Sequence, residues 1–253
     1  MISVDGWFDF ARREPGPADK VYSQRNTARC AIPHDAVGYK HGWYSRLFST
    51  ERLPNGRYTE YAATSQHGII LDEIDPTTGD AVFIQHYSIF SSCWGSGSRE
   101  INTQAVCWEQ ERIRGNFTAL WMPPHMIRTN IRLFSDLANF MRWPELRRPT
   151  SAFDKAAQAY RHRECIRFGA EPTACDSGRT PLEAIIAAVN AEEDDMAITM
   201  AATGDSPTGY RVYALGEGPP RWIVDGKAAD ELIAVFGQPK PLTWAALRAL
   251  GAA

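Results

Sequence analysis

Two stretches of the chain repeat apolar residues at the spacing of a helix. From Pro124 to Met141 an apolar side chain recurs every three or four positions, and Pro144 ends the pattern. Pro181 suits the first turn of a helix, and a second apolar pattern follows it as far as Val189. The sequence therefore predicts two amphipathic helices.

Short apolar or alternating segments, bounded by turn residues, precede the first helix. They predict strands that share one sheet: Arg29 to Pro33, His67 to Leu71, Ala81 to Gln85, and Thr103 to Glu109. The Asp, Pro, Thr and Gly residues from Asp75 to Asp80 predict the turn of a hairpin. This order of elements predicts an α/β fold with a mixed central β-sheet flanked by helices.

The acidic segment from Asn190 to Asp195 has no apolar periodicity, and we place a domain boundary there. Residues 1–192 then form the larger domain, and residues 196–253 form a small α+β C-terminal module. Two strands and two helices are predicted in this module: Tyr210 to Leu215, Arg221 to Val224, Ala228 to Phe236, and Leu242 to Leu250.

Composition and charge restrict the class of protein. Of the 253 residues, 44% are hydrophobic, 11% aromatic and 23% charged, which is typical of a folded globular chain. Apolar runs are far shorter than the ~18 residues that a membrane span needs, and the first residues lack a secretory signal. The net charge of −3 makes nucleic acid a poor partner. The odd number of cysteines, five, argues against a disulfide framework.

Three separate segments carry side chains that can bind a transition metal. His34 ends an apolar strand, His162 lies in a polar segment, and Cys175 follows it after 13 positions. Three protein ligands with an open fourth position are typical of catalytic zinc. By spacing alone, however, the stronger interpretation is that these are hydrogen-bonded histidines and a small buried cysteine.

Other titratable residues have simpler interpretations. His67 and His86 lie on predicted strands and are expected to be packed or hydrogen-bonded rather than further ligands. Asp35 or Glu164 can orient a ligand histidine, although an exposed charge is the commoner interpretation of both.

Seven segments form a further pattern in the order in which they occur. They are Ala31 to His34, Thr64 to Ile70, Val82 to Gln85, Ser92 to Gly97, Asn102 to Glu109, His162 to Glu164, and Pro172 to Arg179. In this order they resemble the motifs of the zinc-dependent N-acetylmuramoyl-L-alanine amidases, the superfamily of phage endolysins and peptidoglycan recognition proteins. The resemblance covers about residues 25–190 and rests on the ordered set rather than on any single motif.

The resemblance implies an amidase-like fold and a zinc ion, Zn2+, that is held by His34, His162 and Cys175. Glu109 matches the glutamate that serves as general base and acid in amidases that have one. Its alternative interpretation from the residues alone is a solvated carboxylate at a strand end. Thr173 matches a position near the developing oxyanion.

Two residues are predicted to bind substrate, and several others depart from the family pattern, among them Cys107 and Trp108, which replace a glycine and an isoleucine. Trp94 and Asn102 match positions in the tryptophan-bearing loop and the strand after it, although a core position is an equally good interpretation of Trp94. Gln66 occupies the position at which some relatives have a catalytic tyrosine. Asp176 occupies a position at which the family usually has proline. The resemblance therefore leaves proton transfer to Glu109 alone.

The implied reaction is hydrolysis of the amide bond between N-acetylmuramic acid and L-alanine in peptidoglycan. Zinc lowers the pKa of bound water to about 7 and polarises the carbonyl, and Glu109 would carry the proton to the leaving amine. The expected protein is a phage-type endolysin, made in the host cytoplasm and released to the cell wall.

Two alternatives stay open at this point. One is a non-catalytic peptidoglycan-binding protein of the same fold, and the other is a virion or tail component that degrades the wall. The enzyme is preferred because all three zinc ligands are present. The sequence leaves open whether the C-terminal module binds the wall or mediates self-association, and it leaves the oligomeric state undetermined.

Overall fold

The computed structural model describes most of the first 192 residues and four strands beyond them. The described residues are 1–35, 38–113, 115, 121–150, 157–165, 179–192, 199–203, 211–215, 221–225 and 240–241. Thr173, Cys175 and Asp176 lie outside them, as do the helices predicted for Ala228 to Phe236 and Leu242 to Leu250.

The described residues before 193 form seven strands and five helices. The strands are β1 (Arg12–Arg13), β2 (Val21–Tyr22), β3 (Cys30–Asp35), β4 (Gly68–Ile74), β5 (Ala81–Gln85), β6 (Ser92–Cys93) and β7 (Ala105–Gln110). The helices are α1 (Lys40–Leu47), α2 (Arg99–Asn102), α3 (Pro124–Met141), α4 (His162–Cys165) and α5 (Leu182–Glu192).

A mixed five-stranded sheet is the centre of this region, in the order β1-β5-β4-β7-β3. The β4 and β5 strands form an antiparallel hairpin, and the other neighbours in the sheet are parallel. The β2 and β6 strands pair separately. Every residue of β3 and β7 is buried, which is typical of parallel strands that are covered on both faces.

Helices cover both faces of the sheet. On one face α3 and α5 pack over the sheet, and the Trp108 ring meets the Phe134 ring edge-on with 5.2 Å between centroids. On the other face α1 contributes Trp43 and Leu47 to a cluster with Ile69 of β4. The prediction of a mixed central sheet flanked by helices is confirmed.

The predicted elements agree closely with the structure in this region. All four predicted strands are present in one sheet, the hairpin turn joins β4 to β5, and α3 has the predicted bounds. Helix α5 continues to Glu192, three residues beyond the apolar pattern. The Asn190 side chain explains part of this extension, because it bonds both the backbone N–H and the carbonyl oxygen of Leu146.

A second sheet of four strands follows in the C-terminal region. Its strands are β8 (Thr199–Thr203), β9 (Arg211–Leu215), β10 (Arg221–Asp225) and β11 (Lys240–Pro241), in the order β10-β9-β8-β11. The β9 and β10 strands confirm two predicted strands, whereas β8 has the alanine-rich composition that strands disfavour and was not predicted. The division into two domains stays a prediction.

Among the described helices, none is both long and apolar enough to cross a membrane.

His67 fastens the start of β4 to β7 through both ring nitrogens. Nδ1 accepts the Cys107 N–H over 3.0 Å, and Nε2 lies 2.9 Å from the carbonyl oxygen of Ser91, to which it donates. This arrangement requires a neutral ring, and burial lowers the pKa of His67 to about 4. The interpretation of His67 as a hydrogen-bonded structural residue is confirmed.

We expect the His67 ring to stay neutral until the pH approaches 4. Protonation would place the second hydrogen of the ring on Nδ1, facing the Cys107 N–H. The stability that neutral His67 contributes is therefore complete above the unfolded pKa of about 6.5 and is lost as the pH falls through about 4. Nitrogen NMR of the imidazole measures this titration directly, and a His67 pKa close to 6.5 would contradict it.

Candidate functional site

The pairing of β3 with β7 brings His34 beside Glu109. The two strands run parallel in an unbroken register in which His34 is the partner of Glu109. His34 Nδ1 lies 3.8 Å from Glu109 Oε1, and both side chains are almost fully buried. The pair lies near the carboxyl ends of parallel strands, which is where α/β sheets commonly bind ligands.

His162 reaches the same place from helix α4. The His34 and His162 rings are 4.3 Å apart between centroids and inclined by 47°. His162 Nε2 lies 3.1 Å from the carbonyl oxygen of Ser96. A carbonyl can only accept, so Nε2 carries the hydrogen and the lone pair of a neutral ring is on Nδ1. This is the way in which a backbone carbonyl orients a metal-binding histidine.

An ion-pair network holds the segment around His162. Glu164 Oε2 accepts the Arg161 N–H over 2.7 Å, and Arg148 bridges Glu164 to Glu183 of helix α5. Arg161 also binds Glu183 at 2.9 Å. Glu164 therefore anchors α4 to α5, and the group that orients the His162 ring is the Ser96 carbonyl rather than Glu164.

Asp35 is buried, so its interpretation as an exposed charge was wrong. Its carboxylate accepts the Arg179 backbone N–H at 3.0 Å, the Gln110 amide at 3.3 Å and the Thr180 hydroxyl. These bonds fasten the residues that precede α5 to the carboxyl end of β3. A buried carboxylate needs such partners because desolvation of an unpaired charge is costly.

The electrostatics of the site favour neutral histidine and a glutamate that can exchange protons. Burial, together with the nearby Asp35 carboxylate, raises the pKa of Glu109 to about 7. Burial and the neighbouring His162 hold the pKa of His34 well below its usual value. Glu109 is only 8% exposed, so its interpretation as a solvated strand-end carboxylate was wrong.

Gln66 belongs to the site, although no site role was predicted for it. Its Nε2 lies 3.3 Å from Glu109 Oε1 and 3.4 Å from His34 Nδ1. In the sequence, the indication of this position was the resemblance, in which Gln66 occupies the place of a catalytic tyrosine directly before His67. In the structure His67 is fixed at the start of β4, and the adjacent Gln66 side chain therefore enters the site.

Asn102 supports the loop that contains Trp94 and Ser96. Its side-chain oxygen accepts both the backbone N–H and the hydroxyl of Ser96, each at 2.8 Å. The backbone N–H of Trp94 donates to Ser65 Oγ, also at 2.8 Å. Asn102 therefore holds the residue whose carbonyl orients His162.

A groove of about 530 Å³ lies next to this loop. Residues that line it include Asp19, Tyr22, Arg52, Tyr58, Trp94 and Asn102. The Trp94 ring is half-buried, with the rings of Tyr22 and Tyr58 at 6.1 and 5.9 Å from it. Trp94 is thus a wall of an open groove and not a core residue.

Two of the three predicted metal ligands come together in the described part of the chain. Two buried imidazole rings fit a zinc site, whereas Thr173 and Cys175 lie outside the described residues. Within those residues, no group of three or more His, Cys, Asp or Glu side chains is placed to hold a metal ion. The other four cysteines, Cys30, Cys93, Cys107 and Cys165, are free and buried.

No protein-family model matches this chain, and no curated protein matches its sequence.

We expect Asn102→Ala to destabilise the fold. The substitution removes two hydrogen bonds and leaves the buried Ser96 N–H without its acceptor, a loss of about 1–3 kcal/mol in the free energy of unfolding. Urea unfolding measures the change. The matched control is Asn55→Ala at an exposed turn, for which we expect a change below ~0.5 kcal/mol. Equal effects of the two substitutions would contradict the role of Asn102.

Proposed function

We propose that this chain is a zinc-dependent N-acetylmuramoyl-L-alanine amidase that degrades peptidoglycan, with the amidase-like fold that its motifs resemble. The observation that carries the proposal is the convergence of His34, His162 and Glu109. These residues are scattered through the sequence, yet the two rings lie 4.3 Å apart and Glu109 lies 3.8 Å from His34. Buried histidines beside a buried glutamate are the donor set and the base that this reaction needs.

His34 and His162 would hold the zinc ion together with Cys175. Bound zinc would supply a Lewis acid that polarises the amide carbonyl and activates water. Arg179, four residues after Cys175, is bonded to Asp35 beside His34. Four residues span at most ~14 Å, so the chain can bring Cys175 to the two histidines. The same segment contains Thr173, for which we propose a position near the developing oxyanion.

Glu109 would move the proton during hydrolysis. It takes a proton from the attacking water, and returns it to the nitrogen of the cleaved amide so that the amine leaves neutral. A pKa of about 7 suits both halves of this transfer near neutral pH. General acid and base catalysis of this kind contributes roughly 10²–10⁴-fold to the rate.

The groove beside Trp94 would receive the glycan or the stem peptide. Its three aromatic rings offer apolar faces to sugar rings, and Asp19 and Arg52 offer polar groups for orientation. The groove shares the Trp94 to Ser96 loop with the metal site, which supports a single continuous substrate path. Because the proposed metal site and the groove suit hydrolysis of peptidoglycan, we propose that the chain is an enzyme of the phage-endolysin type.

Substitution of the ligands and of the base should separate zinc binding from catalysis. We expect His34→Ala, His162→Ala and Cys175→Ser to lose zinc, because each removes one of three protein ligands. We expect Glu109→Gln to keep zinc and to lose about 10²-fold or more in rate. Zinc content is measured by elemental analysis, and the rate by release of L-alanine amino termini from purified peptidoglycan.

The matched control is His41→Ala, which removes an exposed histidine and should change neither quantity. A wild-type protein without zinc, or full activity in His162→Ala, would contradict the mechanism. Binding to peptidoglycan without release of amino termini would identify a binding protein instead.

A further inference from the structure

The backbone on both sides of Gln66 is held by side-chain hydrogen bonds. Ser65 Oγ donates to the carbonyl oxygen of Lys20 over 2.6 Å and accepts the Trp94 N–H. His67 on the other side is bonded through both ring nitrogens. The Gln66 side chain therefore extends from a fixed position, and it is only 2% exposed.

Two oxygen acceptors and a ring nitrogen of His34 surround the amide nitrogen of Gln66. Nε2 lies 3.3 Å from Glu109 Oε1, 3.4 Å from His34 Nδ1 and 3.4 Å from the Gly95 carbonyl oxygen. An amide nitrogen has two hydrogens, which matches the two oxygen acceptors, whereas His34 Nδ1 can donate or accept according to its tautomer. An ionised carboxylate is the stronger of the two oxygen acceptors, so it takes one of the hydrogens.

Gly95 makes room for the Gln66 amide. A Cβ at position 95 would lie 2.4 Å from Gln66 Oε1 and 2.8 Å from Nε2, closer than such atoms can approach. The loop that orients His162 thus has a glycine at the point where Gln66 enters the site. A side chain at position 95 would displace the amide from Glu109.

Two oxygens at this point are buried and have no hydrogen-bond partner within the described residues. They are Oε1 of Gln66 and Oε2 of Glu109. Burial of an unpaired acceptor is unfavourable, and native proteins keep few such atoms. Two acceptors at one site can both be satisfied by a single water molecule, because water has two hydrogens to donate.

We propose that Gln66 positions both partners of the proton transfer, an inference that rests on the proposed function. Its N–H holds Oε1 of Glu109, so that Oε2 is the oxygen that accepts the proton. Its own Oε1 accepts the second hydrogen of the attacking water, which turns the first hydrogen toward Glu109. Gln66 keeps its own protons throughout, and no bond of its side chain is made or broken.

The substitution Gln66→Met tests this role, because methionine has similar length and no polar group. We expect kcat to fall about 10²-fold, since misplacement of a reacting group by about 1 Å costs that much. We expect KM to change less than about threefold, because neither contact involves the glycan or the peptide. The thermal midpoint should change little, because the variant removes the buried unpaired oxygen of Gln66 together with the two weak bonds of its amide nitrogen.

Two further variants complete the comparison. Gln66→Asn keeps the amide but shortens the side chain by one methylene, so we expect it to be as slow as Gln66→Met. Gln24→Met is the matched control at an exposed glutamine and should leave kcat unchanged. A purely structural role for Gln66 would instead lower the thermal midpoint together with the activity.

Crystal structures of the wild type and Gln66→Met provide a readout that is independent of activity. We expect one ordered Glu109 carboxylate in the wild type, and a displaced or multiple carboxylate in the variant. An unmoved Glu109, or a Gln66→Met kcat within twofold of an active wild type, would overturn the inference. Failure of the proposed function looks different, because the wild type itself would release no amino termini, and the inference would fall with it.

Discussion

The parallel register of β3 and β7 is the constraint on which the candidate site depends. Side chains alternate between the two faces of a strand, so a shift of one residue would move Glu109 to the face opposite His34. Both strands are buried along their whole length, so a change of register would cost much of the free energy of folding. The large Trp108 side chain, directly before Glu109, packs against α3 and helps to exclude the alternative registers.

A buried polar network extends this constraint beyond the sheet. Gln110, the residue after Glu109, donates to Thr180 at 2.6 Å and accepts from Asn130 of α3 at 2.7 Å. Arg179 donates to the carbonyl oxygens of Gln110 and Glu111, and its backbone N–H binds Asp35. Buried charges of this kind are stable only with hydrogen-bonded partners. The network therefore ties β3, β7, α3 and the approach to α5 into one arrangement around the histidines.

Buried polar side chains in this fold differ in how many of their hydrogen-bonding atoms have a partner. His67 and His86 each use both ring nitrogens in hydrogen bonds within the fold. Gln66 and Glu109 each keep a buried oxygen for which the described residues supply no donor. Proteins tend to break local rules of this kind at functional sites, where a substrate or water completes the pairing. The contrast is sharpest at the start of β4, where Gln66 keeps an unpaired oxygen and the adjacent His67 is fully paired.

The sequence by itself determined the elements with strong local periodicity: α3 with its exact bounds, the four main strands of the sheet and the hairpin turn. Periodicity and turn chemistry are local, so they can be recognised in the sequence without the fold. Helix α1 has little amphipathic pattern and the two-residue strands have none, so neither was predicted. The resemblance also selected His34, His162 and Glu109. Only the tertiary structure decided that Asp35 is buried, that Ser96 orients His162 and that Gln66 reaches Glu109. Those contacts join residues far apart in the chain, and no local pattern records which strand start will direct a side chain into the site.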